Sequence, residues 1–94
     1  MPDASASLVK YIEKLLLLRG RRDVTCRVYP PVASLRTYSV LLEGYELREQ
    51  FSLNARHVEH FATTKDDHYI RTEVRTALRN LERLLAKRKS ASRR

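Results

Sequence analysis

Apolar residues recur at two periods along this chain, and the change of period marks its elements. Leu8, Ile12 and Leu15 follow helical spacing, with Tyr11, Leu16 and Leu18 widening the stripe and Lys10, Glu13 and Lys14 on the other side. The pattern predicts a helix from about Leu8, capped by Ser5 or Ser7 and stopped at Gly20. Arg19, Arg21 and Arg22 suit the negative end of that helix. From Val24 to Tyr29 the period falls to two: Val24, Cys26 and Val28 point one way, Thr25, Arg27 and Tyr29 the other. Pro30-Pro31 ends this strand, because proline lacks the donor a ladder needs.

Leu35–Leu42 predicts a second strand, with Tyr38, Val40 and Leu42 on one face. Tyr45–Leu53 predicts a third: Tyr45, Leu47, Phe51 and Leu53 inward, Glu46, Arg48, Gln50 and Ser52 outward, with Glu49 breaking the inward pattern. An inward charge suits a strand at the sheet edge, where it opposes aggregation. Glu43-Gly44 is the turn signal between the two strands and makes them a hairpin. Asn54 can cap a short helix through Phe61, and Thr63–Lys65 is a break. Thr64 or Asp66 can cap a last helix from about Asp67 to Lys89, whose stripe is Ile70, Val74, Ala77, Leu78, Leu81 and Leu85. The expected fold is α+β: an N-terminal helix, a three-stranded antiparallel sheet and a long C-terminal helix, with a short helix before the last. One sheet face would be polar and the other covered by helices. Residues 8–89 form the single domain, Met1–Ser7 a disordered leader and Ser90–Arg94 a basic disordered tail.

Charge changes this picture from a fold to a binding module. Over 94 residues, 19 Lys and Arg stand against 11 Asp and Glu, a formal charge of +8. Such self-repulsion costs stability unless a polyanion relieves it. One cysteine, Cys26, makes no internal disulfide and alternates with apolar neighbours, so it reads as a small buried hydrophobe. The longest apolar run, Leu15–Leu18, is too short to span a bilayer, and the N-terminus has no charged segment before an apolar one. An intracellular protein is expected, cytoplasmic or in the nucleoid or nucleus, without a membrane.

The last helix carries the sharpest chemical pattern. Arg71, Arg75, Arg79, Arg83 and Lys87 recur at every fourth position, and Arg88, Lys89, Arg93 and Arg94 extend them. Each step of four turns the helix only about 40°, so the five cations form a winding ridge about 24 Å long. Asp67, Glu73 and Glu82 are too few to neutralise it. Guanidinium forks bind phosphate oxygens bidentately, so the ridge suits a nucleic-acid backbone. Arg21, Arg22, Arg36 and Arg48 are secondary candidates. Arg27, Tyr29, Arg36, Arg48 and Gln50 on one strand surface, with Arg56 at its rim, would stack on bases and hold phosphates.

Helix, three strands, helix is also the element order of double-stranded-RNA-binding domains and of the RNA-binding subunits of the signal recognition particle's Alu region. That shared order puts RNA ahead of DNA. The Gly-Ser-Lys-Lys type of helix start that marks the former is replaced here by Thr63-Thr64-Lys65-Asp66-Asp67.

Competing readings are narrower. His57 and His60, with Asp66 and His68, have too few metal-type ligands at the usual spacing, so no metal is expected. No nucleophile elbow, phosphate-binding glycine loop or inward carboxylate pair is present, so no catalytic residue, cofactor or enzyme activity is expected. The alternative is a protein-interaction or inhibitor module, of the kind phages encode, docking on an acidic surface of a larger protein or of a ribonucleoprotein. Leu81, Leu84 and Leu85 are candidates for a homodimer interface.

Overall fold

The computed structural model describes residues 4–32 and 36–92, with side chains to residue 88. In chain order the elements are α1 (Ser5–Leu18), β1 (Thr25–Tyr29), β2 (Thr37–Gly44), β3 (Leu47–Asn54), α2 (Ala55–Thr64) and α3 (His68–Ser92). The architecture is the α+β arrangement that the apolar pattern predicts.

The three strands form an antiparallel meander in the order β1-β2-β3. Register places Val28 opposite Val40 and Val40 opposite Phe51, with Cys26, Leu42 and Glu49 in the next row of the same face. Alternation turns that face toward the helices. Tyr38, Val40, Leu42 and Leu53 are buried there with Leu8, Ile12 and Leu16 of α1, Val58 and Phe61 of α2, and Ile70, Val74, Ala77, Leu78 and Leu81 of α3. α1 lies along β1 and α3 along β3, with α2 wedged between them. Every buried residue among those described is apolar. Glu49 sits half-buried on the inward face of β3, an edge strand.

Local chemistry explains the boundaries. At the end of α1, Gly20 takes φ +75°, the Gly20 N–H donates to Leu17 O at 3.0 Å and the Arg21 N–H to Leu16 O at 2.8 Å. These paired bonds around a left-handed glycine satisfy the last carbonyls. The Asn54 side chain accepts from the Arg56 N–H at 2.9 Å and starts α2. Before α3, the Asp66 N–H donates to the Thr64 hydroxyl and the His68 N–H to the Asp66 carboxylate.

Four boundaries differ from the sequence expectation. α2 runs through Thr64 into the expected break at Thr63–Lys65, and the left-handed Lys65, φ 68°, ends it. α1 begins at Ser5, so Ser5 and Ser7 lie within its first turn and Ala4 stands at the cap; of the expected leader only residues 1–3 fall outside the described residues. α3 continues through Ser92, so much of the expected tail is helical, and Arg93 and Arg94 lie outside the described residues. The hairpin turn is not Glu43-Gly44. It is Tyr45-Glu46, both left-handed with φ 57° and 63°, and Gly44 closes β2. Two adjacent positive φ angles suit the twist of a tight hairpin, but they cost non-glycine residues about 1 kcal/mol or more each. Arg88, seven residues beyond the buried Leu81 and therefore on the sheet side of α3, donates to the Tyr45 carbonyl and to the Glu46 carboxylate and ties this turn down. Leu35, expected to open β2, lies outside the described residues.

Gly44 is required for close approach. A Cβ there would stand 3.0 Å from the Asp23 carbonyl oxygen and 3.0 Å from Val24 Cγ2. The first of these is backbone and cannot rotate away. Gly44→Ala is therefore expected to destabilise the fold by about 1–3 kcal/mol, read as a lower denaturant midpoint at unchanged slope. An unchanged midpoint would show that the loop from α1 to β1 yields freely.

Candidate nucleic-acid interface

Packing of the stripe Ile70, Val74, Ala77, Leu78 and Leu81 fixes how α3 is rotated. At the helical pitch, Arg79 then stands nearly opposite the buried stripe, Arg71 on the flank facing α1, and Lys87 on the far flank, about 160° from Arg71. All five ridge cations are exposed. They wind around the outside of the helix rather than sharing one face. Arg71 and Arg75 also border a groove of about 260 Å³ between α1 and α3, floored by Leu15, Leu18, Val74 and Leu78.

Of Asp67, Glu73 and Glu82, the first and the last are engaged by α1 and the turn after it. Glu82 accepts from Arg19 Nε and Nη2 at 3.1 and 3.0 Å and from Arg21 Nε at 2.9 Å, joining α3 to the end of α1. The hydrogen bonds from Arg19, against an opposing cost of partial burial, and the one from Arg21 pull its carboxyl down to about 2. Asp67 accepts from the Tyr11 hydroxyl and from Arg71 at 3.2 Å. The Tyr11 hydrogen bond holds its carboxyl below the usual range. Burial, and then the bond to Asp67, push the Tyr11 hydroxyl up to about 12.

The predicted cations therefore divide. Arg75, Arg79, Arg83 and Lys87 make no ion pair among the described residues. Arg71 is paired with Asp67, Arg21 with Glu82, Arg48 with Glu43 at 3.2 Å, and Arg88 with Glu46. Arg88 does not extend the ridge, since it turns back toward the sheet. Arg22 is exposed beyond α1. The Lys89 side chain lies outside those described.

The strand surface is less basic than its composition suggests. Arg27, Tyr29, Arg48 and Gln50 do share the outer face of the sheet. Glu43 stands between Arg27 and Arg48, 4.0 Å from one and 3.2 Å from the other. Arg36 precedes β2 and instead borders a depression with Arg56, Asn54 and Glu59. This face is turned away from α3, so Arg48 and the ridge point to opposite sides of the molecule and cannot grip one stretch of backbone together.

A second basic cluster forms where the N-terminal turns of α2 and α3 meet. Arg56, His57, His60, Asp66, His68 and Tyr69 line a depression of about 530 Å³. The His57 ring stacks on Tyr69 with centroids 4.1 Å apart and planes 22° from parallel. His60 Nε2 is 3.5 Å from an Asp66 carboxylate oxygen. No group of three or more His, Cys, Asp or Glu among the described residues is arranged to hold a metal ion. Sequence spacing brings out His57 and His60 but not the stack, because Tyr69 arrives from the next helix. Cys26 is half-buried on the inward face of β1, and burial, with Glu13 nearby, pushes its thiol up to about 12, so it stays protonated and unreactive near neutral pH.

Glu82→Gln is expected to cost about 1 kcal/mol near neutral pH, since the network is partly solvated. A depressed acid stabilises fully above its ordinary value of 4.5, and this contribution disappears as pH falls toward about 2. The difference between wild type and variant in denaturant midpoint should stay constant above pH 4.5 and close between there and about 2. A difference that persists in acid would mean that Glu82 acts through packing and not charge. No helix among the described residues is long and apolar enough to cross a membrane. No family model matches this chain, and no curated protein or solved structure matches it either.

Proposed function

We propose that this chain is a nucleic-acid-binding protein, RNA ahead of DNA, that grips phosphates through α3 and performs no catalysis. The observation that carries the reading is the set Arg75, Arg79, Arg83 and Lys87: exposed cations at one spacing on a rigid helix, with no acid paired to any of them among the described residues. A merely solvated helix face would interleave acids with these arginines. Here Glu82 is drawn to Arg19 and Arg21 and Asp67 to Tyr11 and Arg71, while the half-buried Glu73 pairs with none of the four among the described residues. Arg71 and Arg22 are secondary contacts, and Arg36 and Arg56 extend the basic surface around α2. RNA is placed ahead of DNA on the shared order of elements alone. An intracellular site of action, cytoplasm, nucleoid or nucleus, goes with this reading.

A second reading has its own observation. The groove between α1 and α3 is apolar within and cationic on its rim, and Leu18 of its lining is 75% exposed. That combination suits an acidic amphipathic segment of a protein partner.

The test is fluorescence anisotropy with single-stranded RNA, duplex RNA and duplex DNA over a series of salt concentrations. Wild type should bind at least one of them at moderate salt. Arg75→Ala combined with Arg79→Ala should weaken that binding at least several-fold and lower the salt slope by about 1.5, because two phosphate contacts are lost. The melting temperature should hardly move, since neither side chain has a partner to lose. An unchanged salt slope would remove the ridge from the interface. Wild-type binding that vanishes at moderate salt for all three nucleic acids would favour the acidic protein partner.

A further inference from the structure

We propose that the depression between α2 and α3 is a nucleotide pocket, in which one unpaired base stacks on His57 while its phosphate is held by Arg56 and the neighbouring imidazoles. The inference rests on the nucleic-acid reading and names its substrate class: a strand that is single at the N-terminal end of the ridge.

Placement is the first argument. His68 precedes Arg75 by seven residues, two helical turns, so His68, Arg75 and Arg79 lie close to one line along α3. The depression therefore stands at the head of the ridge, about 10 Å along the helix from Arg75. A strand following the unpaired cations toward the N-terminus of α3 runs into it.

Preorganisation is the second. Tyr69 is fixed because its hydroxyl accepts from the Asn54 N–H at 3.3 Å. The side chain of Asn54 also holds the first turn of α2, which carries Arg56 and His57. The exposed His57 ring thus lies on a seated partner and offers a flat surface whose position is already set. Stacking of a base on such a platform is worth about 1–3 kcal/mol and tolerates any base. A duplex would first have to extrude a base, at a cost of a few kcal/mol, whereas a single strand need not.

Charge is the third. The chain has three histidines, and all of them line this one depression. Among its lining groups, Arg56 opposes Asp66, so each proton taken up by His57, His60 or His68 adds positive charge. Around the rim, Glu59 lies toward Arg36 and Arg56, Lys65 is exposed between the helices, and Asp67 is engaged by Arg71 and Tyr11. Binding of a phosphate here strengthens on acidification, and no histidine elsewhere can produce the same response.

The experiment measures anisotropy of a labelled oligouridylate, alone and annealed to oligoadenylate, at about pH 7.5 and about pH 5.5, the range over which imidazoles gain their proton. Wild type should prefer the single strand and bind it several-fold more tightly at the lower pH. His57→Ala should weaken single-strand binding about tenfold and leave duplex binding unchanged. His57→Ala combined with His60→Ala and His68→Ala should abolish the pH response. Circular dichroism checks that the variants stay folded, and Arg56→Ala, at an exposed position, serves as a second probe. If His57→Ala and Arg56→Ala bind single strands as wild type does while Arg75→Ala with Arg79→Ala does not, the pocket is wrong and the ridge stands. A pH response that survives loss of all three histidines also overturns the pocket. If folded wild type binds neither strand form, the nucleic-acid reading itself falls.

Discussion

The inward side of β2 is where this small fold is decided. Tyr38, Val40 and Leu42 alternate on the central strand, flanked on both sides, and are all but completely removed from water. Burying side chains of that size is worth about 1.5–3 kcal/mol each, against a total stability of only about 5–15 kcal/mol. A three-stranded sheet with one apolar face cannot reach this burial by itself. Helices must cover it, and α1 and α3 do so along the outer strands with α2 closing the gap. The rotation of α3 follows from that demand. Once Ile70, Val74, Leu78 and Leu81 face the sheet, the arginines at every fourth position have nowhere to go but the flank and the outside.

Ties between elements then determine which charges stay available. Glu82 reaches Arg19 and Arg21 at the end of α1, Asp67 holds Tyr11 and Arg71, and Glu46 and the Tyr45 carbonyl hold Arg88. All but the Asp67–Arg71 pair join segments distant in sequence, and together they occupy Glu82, Asp67 and Glu46. The formal charge of +8 understates the local field over α3 for this reason, because Asp67 and Glu82 are drawn toward α1 and the turn that follows it. The same contacts explain why cations of similar composition differ in role. Arg88 restrains a hairpin whose two left-handed residues are not glycines, whereas Arg79, nine residues earlier, meets only solvent.

The charged surfaces are likewise separated by the sheet. Arg48 with Glu43 lies on its outer face, while α3 and the histidine depression lie on the helical side. A basic protein of 94 residues does not offer a uniform cationic coat; it offers a ridge and, at the head of that ridge, a cluster of rings and imidazoles.

The elements and most of the core follow from patterns along the chain. Period-two and period-3.6 patterns are local, and Gly20, Asn54 and the Thr64/Asp66 pair act through bonds to residues a few positions away. The ridge spacing was legible for the same reason. Boundaries shifted where tertiary contact overrode local preference. Gly44 looks like a turn residue but serves a close approach to Asp23 and Val24, and the turn falls on Tyr45-Glu46, which Arg88 reaches from 42 residues away. Contacts between elements pair Arg21, Arg48 and Arg88, set Glu43 between the strand arginines, and bring three histidines and Tyr69 into one depression. Those outcomes depend on which elements lie side by side, and no periodicity along a chain encodes the distance between residues that folding brings together.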